Sequence, residues 1–322
     1  MVKTGILAGC GQPEKEEVVA FKRSTACAKI TKYLSMLDKL IQEKEIEGDI
    51  DRIYDLDSTP DLMNASLAHQ LLIKINDLIN DIPVEEDANQ RYGNKGFVTF
   101  LDRLQEISVA LIKNTFFSEK AAGEAEILST YLNASFGNRT RIDYGTGHEL
   151  NFFCFLIILH ELDKIATEEL LVVLEHYFSM VRLLILKYKL EAAGSYGTWG
   201  IDDYQLLPFV LGSSQFCRHI DMAFGSLFSL RSRWLCFAKA LRFSQVHKTY
   251  SSLKYSLAER VTACCTAEIE EQDFAKHSPM LYALRDVTFT KINKGMYKMY
   301  DNVVLNQYVV IQHFISSEYL PV

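Results

Sequence analysis

A chain of 322 residues exceeds the usual size of a single hydrophobic core, so we expect one large domain with lobes or two closely packed domains. Hydrophobic residues make up 48% of the sequence and charged residues 23%, which excludes an intrinsically disordered chain. The formal net charge is −7, with acidic residues interspersed among basic ones, which argues against nucleic acid as a partner.

The spacing of apolar residues predicts an all-α protein, with a loosely ordered arm over residues 1–20 and one helical domain over residues 21–322. The chain has only six prolines, and long stretches carry apolar residues at helical spacing. Ser24 is predicted to cap the first helix and Gly48 to end it. The predicted inward face of this helix consists of Ile30, Leu34, Leu37 and Ile41.

Two further helices follow, and the three together are predicted to form an antiparallel bundle. The second is expected to begin at Thr59-Pro60-Asp61 and to end at Pro83, and the third to follow the turn at residues 93–96. Their predicted buried residues are Leu67, Leu71, Ile75 and Leu78 in the second helix, and Phe97, Phe100, Leu104, Ile107 and Leu111 in the third.

The most buried helix is predicted over residues 167–193, with Gly194 as its stop. Its polar residues Glu175, Ser179 and Arg182 follow one narrow line, so other helices must cover most of its circumference. Residues 221–274 show a weaker pattern, which we interpret as helical.

The compartment is predicted from what the sequence lacks. The longest wholly apolar run, residues 152–159, is much shorter than the ~20 residues that span a bilayer, so no membrane partner is expected. The N-terminal residues make a poor signal peptide. Seven dispersed cysteines without a Cys-x-x-Cys pair indicate reduced thiols. We therefore expect a cytoplasmic protein, with the nucleus as a second compartment.

A glycine-rich loop precedes the apolar segment 150–162 and reads Phe-Gly-Asn-Arg-Thr-Arg-Ile-Asp-Tyr-Gly-Thr-Gly-His-Glu over residues 136–149. Backbone N–H groups at a helix start, beside Arg139 and Arg141, are typical of a phosphate-binding cradle. The alternative is a tight turn between helices with surface arginines, and local composition alone favours that alternative. The loop lacks the Gly-Lys-Ser/Thr of a P-loop and the third glycine of a dinucleotide-binding fingerprint.

A second glycine-rich loop begins at Gly194 and reads Gly-Ser-Tyr-Gly-Thr-Trp-Gly-Ile-Asp-Asp-Tyr-Gln-Leu-Leu-Pro-Phe over residues 194–209. Its glycines leave backbone accessible around Trp199, and Asp202 and Asp203 offer hard oxygen ligands suited to magnesium. The loop could bind a peptide against an aromatic surface. In the alternative interpretation, Asp202 or Asp203 is a helix N-cap and Trp199 fills a core.

Other chemistries find no support in the sequence. His148-Glu149 and His160-Glu161 lack the His-Glu-x-x-His spacing of zinc peptidases, so both histidines are interpreted as structural. No Gly-x-Ser-x-Gly nucleophile pattern occurs.

The two loops resemble the signatures of the phosphotyrosyl phosphatase activator family. Further similar segments follow in the family's order, and together they cover most of the chain. These segments are Phe-Lys-Arg-Ser at 21–24, Tyr-Gly-Asn-Lys at 92–95, Phe-Ala-Lys-His-Ser at 274–278, Lys-Ile-Asn at 291–293 and Val-Ile-Gln-His-Phe at 310–314. The resemblance implies an all-α fold with core, linker and lid lobes around a deep cleft.

The resemblance also implies that this cleft binds ATP with Mg²⁺. The implied nucleotide-binding residues are Arg141, Thr146, Gly147, Val310, Gln312 and His313. The implied magnesium positions are Gly197 and Asp203, and the substrate-binding or catalytic surface is expected around Gly194, Trp199 and Asp202.

The function implied by the resemblance is ATP- and Mg²⁺-dependent activation of protein phosphatase 2A, together with peptidyl-prolyl cis-trans isomerisation. The implied partners are the catalytic and scaffold subunits of the phosphatase and a proline-containing peptide, which could bring two copies of the chain together. The alternative hypothesis is a non-catalytic scaffold that binds a proline-containing peptide or the phosphatase.

The sequence departs from the family pattern in four places. Val309 stands where the family usually has proline, and Thr288-Phe289 replaces a usual Pro-Ser-Trp, so an altered rim of the nucleotide pocket is expected. Residues 221–273 and the arm before Phe21 fit the family poorly, so altered partner contacts are expected in the former.

Overall fold

The computed structural model describes residues 3–4, 13–43, 66–85, 93–117, 122–194, 200–217, 227, 236–249, 256–266 and 271–322. Its helices are α1 Pro13–Arg23, α2 Thr25–Glu43, α3 Leu67–Asp81, α4 Gly96–Phe116, α5 Ala122–Asn133, α6 Thr146–Glu161, α7 Leu170–Tyr188, α8 Leu207–Ser214, α9 Cys236–Thr249, α10 Leu257–Thr266, α11 Glu271–His277, α12 Pro279–Tyr282, α13 Phe289–Tyr300 and α14 Tyr308–Ile311. A 3₁₀ turn at Thr167–Glu169 precedes α7, and a π-helical turn at Asp301–Leu305 follows α13. The all-α prediction is confirmed.

Four two-residue strands accompany the helices: β1 Lys3–Thr4, β2 Asp143–Tyr144, β3 Glu191–Ala192 and β4 Ile315–Ser316. β1 and β4 pair in antiparallel fashion, with Lys3 opposite Ser316 and Thr4 opposite Ile315. Within the described ranges, no helix is both long and apolar enough to cross a bilayer.

The chain divides into two compact units. The first comprises Met1–Ser35, Pro60–Glu191 and Asp301–Val322, and the second comprises Met36–Thr59 and Ala192–Tyr300. In the first unit, α4 packs against α3 and α5, α5 against α6, and α1 against α14. In the second unit, α8 packs against α9 and α13, and α9 packs against α10. The core, linker and lid lobes and the cleft between them stay predictions.

Helix α1 corrects the prediction of a loose arm, because residues 13–20 are helical. Glu14 and Glu16 lie in its first turn, where negative charge complements the helix dipole. Phe21 near its end is fully buried and packs against Phe314 with ring centroids 4.9 Å apart. The helix is thus held by an aromatic contact to the last segment of the chain, which local sequence could not show.

The predicted start and inward face of α2 are confirmed. Ser24 Oγ accepts a hydrogen bond from the Cys27 N–H at 3.1 Å, which satisfies one N–H group that the helix start leaves unpaired. The four residues predicted to face inward are all buried: Ile30, Leu34, Leu37 and Ile41. The predicted end at Gly48 and the predicted helix start at residues 59–61 lie outside the described residues.

The inward faces of α3 and α4 are confirmed in part. The residues predicted to be buried that the structure does bury are Leu71, Ile75, Phe97, Phe100 and Leu104. Leu67 and Ile107 are instead 41% and 39% exposed. In α3 the buried stripe runs through Ala68, Leu72 and Ile79, because the helix is rotated slightly from the predicted register.

The most buried helix is not the predicted one: every residue of α8 is buried, and so is every residue of α6 from 149 to 159. The helix predicted over residues 167–193 begins with a 3₁₀ turn and ends at Tyr188. Lys189 then adopts a left-handed conformation with φ 52°, which stops α7 before the predicted stop at Gly194. Glu175 and Arg182, on the predicted polar line, are themselves buried.

The helical prediction for residues 221–274 is confirmed where α9, α10 and the start of α11 are described. Residues 218–226 and 228–235 lie outside the described residues.

The contact between α8 and α9 depends on Gly212. A Cβ atom at this position would lie 2.4 Å from the Phe237 backbone N and 2.9 Å from its Cα. Gly212→Ala is therefore expected to lower the free energy of unfolding by about 1–3 kcal/mol, because a backbone contact cannot move as a side chain can. Urea denaturation measures this change.

Gly295 provides the matched control for this prediction, because it lies inside α13 with no atom within 4 Å of its added Cβ. Gly295→Ala should leave stability unchanged or raise it by up to about 1 kcal/mol, since alanine favours the helix. Equal effects of the two substitutions would contradict the packing argument for Gly212.

Candidate functional site

The first glycine-rich loop is a rigid turn between α5 and α6, held by the side chain of Asn138. Its Oδ1 accepts hydrogen bonds from the backbone N–H groups of Thr140 and Arg141, both at 2.9 Å. The Asn138 N–H donates to the Asp143 carbonyl at 3.0 Å, and the Ile142 N–H donates to the Asn138 carbonyl at 2.8 Å. These four bonds fix the exposed tip of the loop at residues 139–141.

Gly137 explains why this turn begins with glycine. Its φ of +132° is a conformation that side chains rarely adopt. An added Cβ would also lie 2.6 Å from the Asp143 carbonyl oxygen and 2.7 Å from the Phe97 ring. The loop can therefore close against α4 only without a side chain here.

The two arginines of the loop differ in how many of their guanidinium nitrogens are hydrogen-bonded. Arg139 donates from Nε and Nη2 to both carboxylate oxygens of Asp102, at 2.6 and 2.9 Å, so its guanidinium is engaged at the surface. Arg141 donates only from Nε, to Asp143 Oδ2 at 2.6 Å. Its Nη groups make no hydrogen bond to any residue that the structure describes. Arg141 is thus the arginine free to bind an anion.

The start of α6 supplies the backbone N–H groups that the sequence predicted. The helix begins at Thr146, four residues before the predicted position, so Thr146 and Gly147 are its first two residues. Their N–H groups have no partner within the helix, and the positive end of the helix dipole lies there. A Cβ on Gly147 would meet Val310 Cγ1 at 3.7 Å, which places α14 beside this helix start.

His148 lies in the first turn of α6, next to Gly147. Its Nδ1 lies 2.7 Å from the Ala134 carbonyl, which can only accept, so Nδ1 carries the proton. Burial lowers the pKa of His148 below its ordinary value, and the hydrogen bond to Ala134 opposes this decrease. The sequence had interpreted His148 as structural, and only its position at the helix start could have indicated the site.

Two buried tyrosines, Tyr144 and Tyr177, connect the loop to α6 and α7. The Tyr177 hydroxyl donates to the Ser135 carbonyl at 2.6 Å and lies 2.9 Å from the Tyr144 hydroxyl. The Tyr177 ring stacks on Phe152 with centroids 3.7 Å apart. This network ties α6, α7 and the loop together from below.

The C-terminal segment contributes the remaining nucleotide-binding candidates. Val310 is half-buried, Gln312 donates from Nε2 to the Val309 carbonyl at 3.3 Å, and His313 is exposed. Val309, where the family usually has proline, is 61% exposed at the second position of α14. Because an N–H at that position has no helical partner, valine and proline are equally compatible with the helix.

In the second unit, Asp202 caps a turn that leads to α8. Its Oδ1 accepts hydrogen bonds from the backbone N–H groups of Tyr204 and Gln205, both at 2.8 Å. Burial raises the pKa of Asp202, and these hydrogen bonds oppose that increase. The alternative prediction of a helix N-cap is therefore wrong for Asp202: its carboxylate caps a turn, and Leu206 is the residue that precedes α8.

The other candidates of the second loop are placed only in part. Gly194 is exposed, with φ +74°, and a Cβ added there would meet no described atom within 4 Å. Gly197 and Trp199 lie outside the described residues. Asp203 is half-buried, and its negative charge acts on His247.

The magnesium prediction rests on a single described carboxylate, that of Asp203. Among the described residues, no group of three or more His, Cys, Asp or Glu side chains could hold a metal ion. Mg²⁺ in nucleotide sites is commonly bound by one or two carboxylates together with phosphate oxygens, so one carboxylate is compatible with such a role.

The fold and this loop define an all-α protein with an exposed arginine at the glycine-rich start of a buried helix. The chain belongs to the phosphotyrosyl phosphatase activator family: residues 13–322 match the family model described as "Phosphotyrosyl phosphate activator (PTPA) protein". The match begins at residue 13, so it includes residues 13–20 of α1, which the sequence had placed outside the resemblance.

Two similar proteins are both named "Serine/threonine-protein phosphatase 2A activator 2". The one from Yarrowia lipolytica is 35% identical over 257 residues, which is 77% of this chain and 66% of the relative. The one from Saccharomyces cerevisiae is 35% identical over 263 residues, which is 78% of this chain and 67% of the relative. The chain thus aligns with about two thirds of the length of these relatives.

A solved structure shares the fold. The crystal structure titled as that of the PP2A phosphatase activator Ypa1 PTPA1 has a TM-score of 0.73 and 25% sequence identity to this chain. The match covers 100% of this chain and 96% of the solved one.

Proposed function

We propose that this chain activates protein phosphatase 2A, the activity that the names of its relatives state for them. The observation that supports this most directly is the assembly in the first unit, where the loop holding Arg141 lies beside α14. The partners in this proposal are the catalytic and scaffold subunits of the phosphatase. We further propose the cytoplasm as its location.

The proposed activation depends on ATP bound at the first unit. The N–H groups of Thr146 and Gly147 and the Nη groups of Arg141 would bind phosphate oxygens, since helix starts and guanidinium groups favour anions. The C-terminal segment 310–313 would line the other side of the nucleotide. Mg²⁺, when bound, supplies charge neutralisation of the phosphates. Gly197 and Asp203 remain the magnesium positions that the resemblance implies.

The proposal includes peptidyl-prolyl isomerisation at the second glycine-rich loop. This reaction needs no nucleophile, because its ~18–20 kcal/mol barrier comes from amide resonance. A dry aromatic surface that binds the twisted bond lowers this barrier, as does a donor to the prolyl nitrogen. Trp199 is the candidate surface. Gly194 and Asp202 would shape the loop around it.

The experiment that tests activation is a reconstitution with the inactive catalytic subunit of the phosphatase. The purified chain should restore serine/threonine phosphatase activity with ATP and Mg²⁺ present, and should lose this effect when either is omitted. Absence of restoration under all conditions would reject the proposal. Restoration that is independent of ATP would reject the nucleotide part alone.

Trp199→Ala is expected to reduce the rate of prolyl isomerisation by about ten-fold or more, because burial of the prolyl ring against the indole is lost. A protease-coupled assay on a short X-Pro peptide measures this rate. Trp234→Ala, the same change at the other of the two tryptophans, serves as the control. If wild type and Trp199→Ala accelerate the reaction equally, the loop is not the catalytic surface.

One observation favours the alternative of a non-catalytic scaffold. Asp202 Oδ1 already accepts two backbone hydrogen bonds, so this carboxylate has a role in holding the turn. In this alternative, the loop binds a proline-containing peptide without accelerating its isomerisation. This alternative would be identified by a chain that binds the peptide but leaves its rate of prolyl isomerisation at the uncatalysed value. Light scattering would show whether the peptide joins two copies of the chain.

A further inference from the structure

We propose that Asp143 is a positioning residue for Arg141: it binds the Nε edge of the guanidinium and thereby directs the Nη edge toward the phosphates of the nucleotide. This inference rests on the proposed binding of ATP at the first unit. It adds to that site a residue that neither the sequence pattern nor the resemblance had singled out.

The geometry of the ion pair supports this role. Arg141 Nε lies 2.6 Å from Asp143 Oδ2, and no second hydrogen bond joins the two side chains. Half of the Arg141 side chain is exposed, whereas only 8% of the Asp143 side chain is. The buried carboxylate therefore acts as the fixed anchor, and the outer edge of the guanidinium remains available to a ligand.

The neighbouring ion pair of the same loop provides a contrast. Asp102 engages Arg139 through two parallel hydrogen bonds, and these side chains are 42% and 59% exposed. This pair occupies both Nε and Nη2 of Arg139. Asp143 occupies only Nε of Arg141, so neither Nη group of Arg141 is engaged by the carboxylate.

The backbone keeps Asp143 in register with Arg141. The Asp143 carbonyl accepts the Asn138 N–H, while Asn138 Oδ1 accepts the Arg141 N–H. Asp143 also lies in strand β2, next to the close contact made by Gly137. Asp143 and Arg141 therefore belong to one hydrogen-bonded turn, so a shift of one of them moves the other.

The second carboxylate oxygen of Asp143 holds no other described group of the turn. Its Oδ1 is buried and has no hydrogen-bond partner among the described residues. A buried acceptor without a partner costs free energy. A site that tolerates this cost, and gains an oriented arginine, fits a functional role for the carboxylate.

The test is a double-mutant cycle on the full chain, with ATP and Mg²⁺ binding measured by titration calorimetry. Asp143→Asn should weaken ATP binding about ten-fold, because the amide no longer holds the guanidinium by charge. In the Arg141→Gln background, the same substitution should have no further effect, since there is no guanidinium left to position. Asp102→Asn removes the neighbouring ion pair and should leave ATP affinity unchanged.

A purely structural role for Asp143 would give a different result. If Asp143 only holds the loop in shape, Asp143→Asn should weaken the binding of adenosine, which has no phosphate, as much as the binding of ATP. The proposal instead expects the affinity for adenosine to stay within about two-fold of the wild-type value. Unchanged ATP affinity in Asp143→Asn, or an equal loss in both backgrounds, would overturn the inference. If Asp143→Asn does not fold, Asp143→Ser, which also removes the charge, takes its place in the cycle, and unchanged ATP affinity would again overturn the inference.

The same experiment separates this inference from the proposed function. A wild-type chain that does not bind ATP would reject the nucleotide part of the proposed function, and the inference with it. A wild-type chain that binds ATP, with an Asp143→Asn variant of equal affinity, would reject the positioning role alone.

Discussion

Arg141→Gln is expected to reduce ATP-dependent activation of the phosphatase by at least ten-fold. Hydrogen bonds to a charged group are worth about 1.5–3 kcal/mol, which corresponds to roughly 10- to 150-fold in affinity. The Nη groups of Arg141 are not engaged by described residues. The hydrogen bonds that the substitution removes are therefore those to ATP. Glutamine keeps a polar side chain of similar reach but cannot supply the charge.

The measurement is restored phosphatase activity as a function of ATP concentration. The loss should appear as a higher half-saturating ATP concentration, because Arg141 contributes binding rather than chemistry. Arg139→Gln is the matched control, since the same change removes an arginine two residues away that Asp102 already holds. Equal losses for the two variants would show that the loop needs only its net charge, and no loss for Arg141→Gln would remove this residue from the site.

The free energy of unfolding is expected to fall by about 3 kcal/mol as the pH is lowered from 7 to 4, through buried histidines alone. Burial lowers the pKa of His176 to about 4, and His69, whose Nδ1 lies 3.1 Å from that of His176, adds to this effect. Burial, and then Lys248, lower the pKa of His247 to about 4. The ordinary pKa of both histidines is 6.5.

The sign follows from which state binds more protons. Between pH 6.5 and 4, these histidines are protonated in the unfolded chain and neutral in the folded one, so stability is present above pH 6.5 and is lost as the pH falls. Urea denaturation at a series of pH values measures the slope. The expected loss of about 3 kcal/mol is smaller than the full pKa shifts of two histidines would give, because water screens the charge of side chains that keep some exposure.

The variants His176→Gln and His247→Gln isolate this contribution from that of the carboxylates. Each should flatten the dependence between pH 7 and 5, where few carboxyl groups titrate. Between pH 7 and 8, wild type and variants should show the same slope. A wild-type slope that persists in both variants would contradict the assignment to these two histidines.

The sequence predicted best what depends on local chemistry. Ser24 could be identified as a cap because serine before an apolar run has few other roles, and the inward face of α2 follows from helical spacing. The glycine-rich loop could be placed just before a helix because glycines interrupt an otherwise apolar stretch, although the helix begins at Thr146 rather than at the predicted residue 150. These features need only a few neighbouring residues.

What the sequence could not predict depends on contacts between distant residues. Helix α1 is held by Phe314, which lies almost 300 residues further along the chain. The choice between Arg139 and Arg141 depends on which carboxylate each one meets, and Asp102 is contributed by α4. Likewise, the approach of Val310 to Gly147 joins residues that are far apart in the sequence.

The order of synthesis sets a limit on when the candidate nucleotide site can exist. The first unit is assembled from three separate stretches of chain, and the last of them, Asp301–Val322, follows the whole of the second unit. Residues 141–147 leave the ribosome early but meet residues 310–313 only after more than 160 further residues have been made. During translation the candidate nucleotide site therefore lacks its C-terminal side until residues 310–313 have been made.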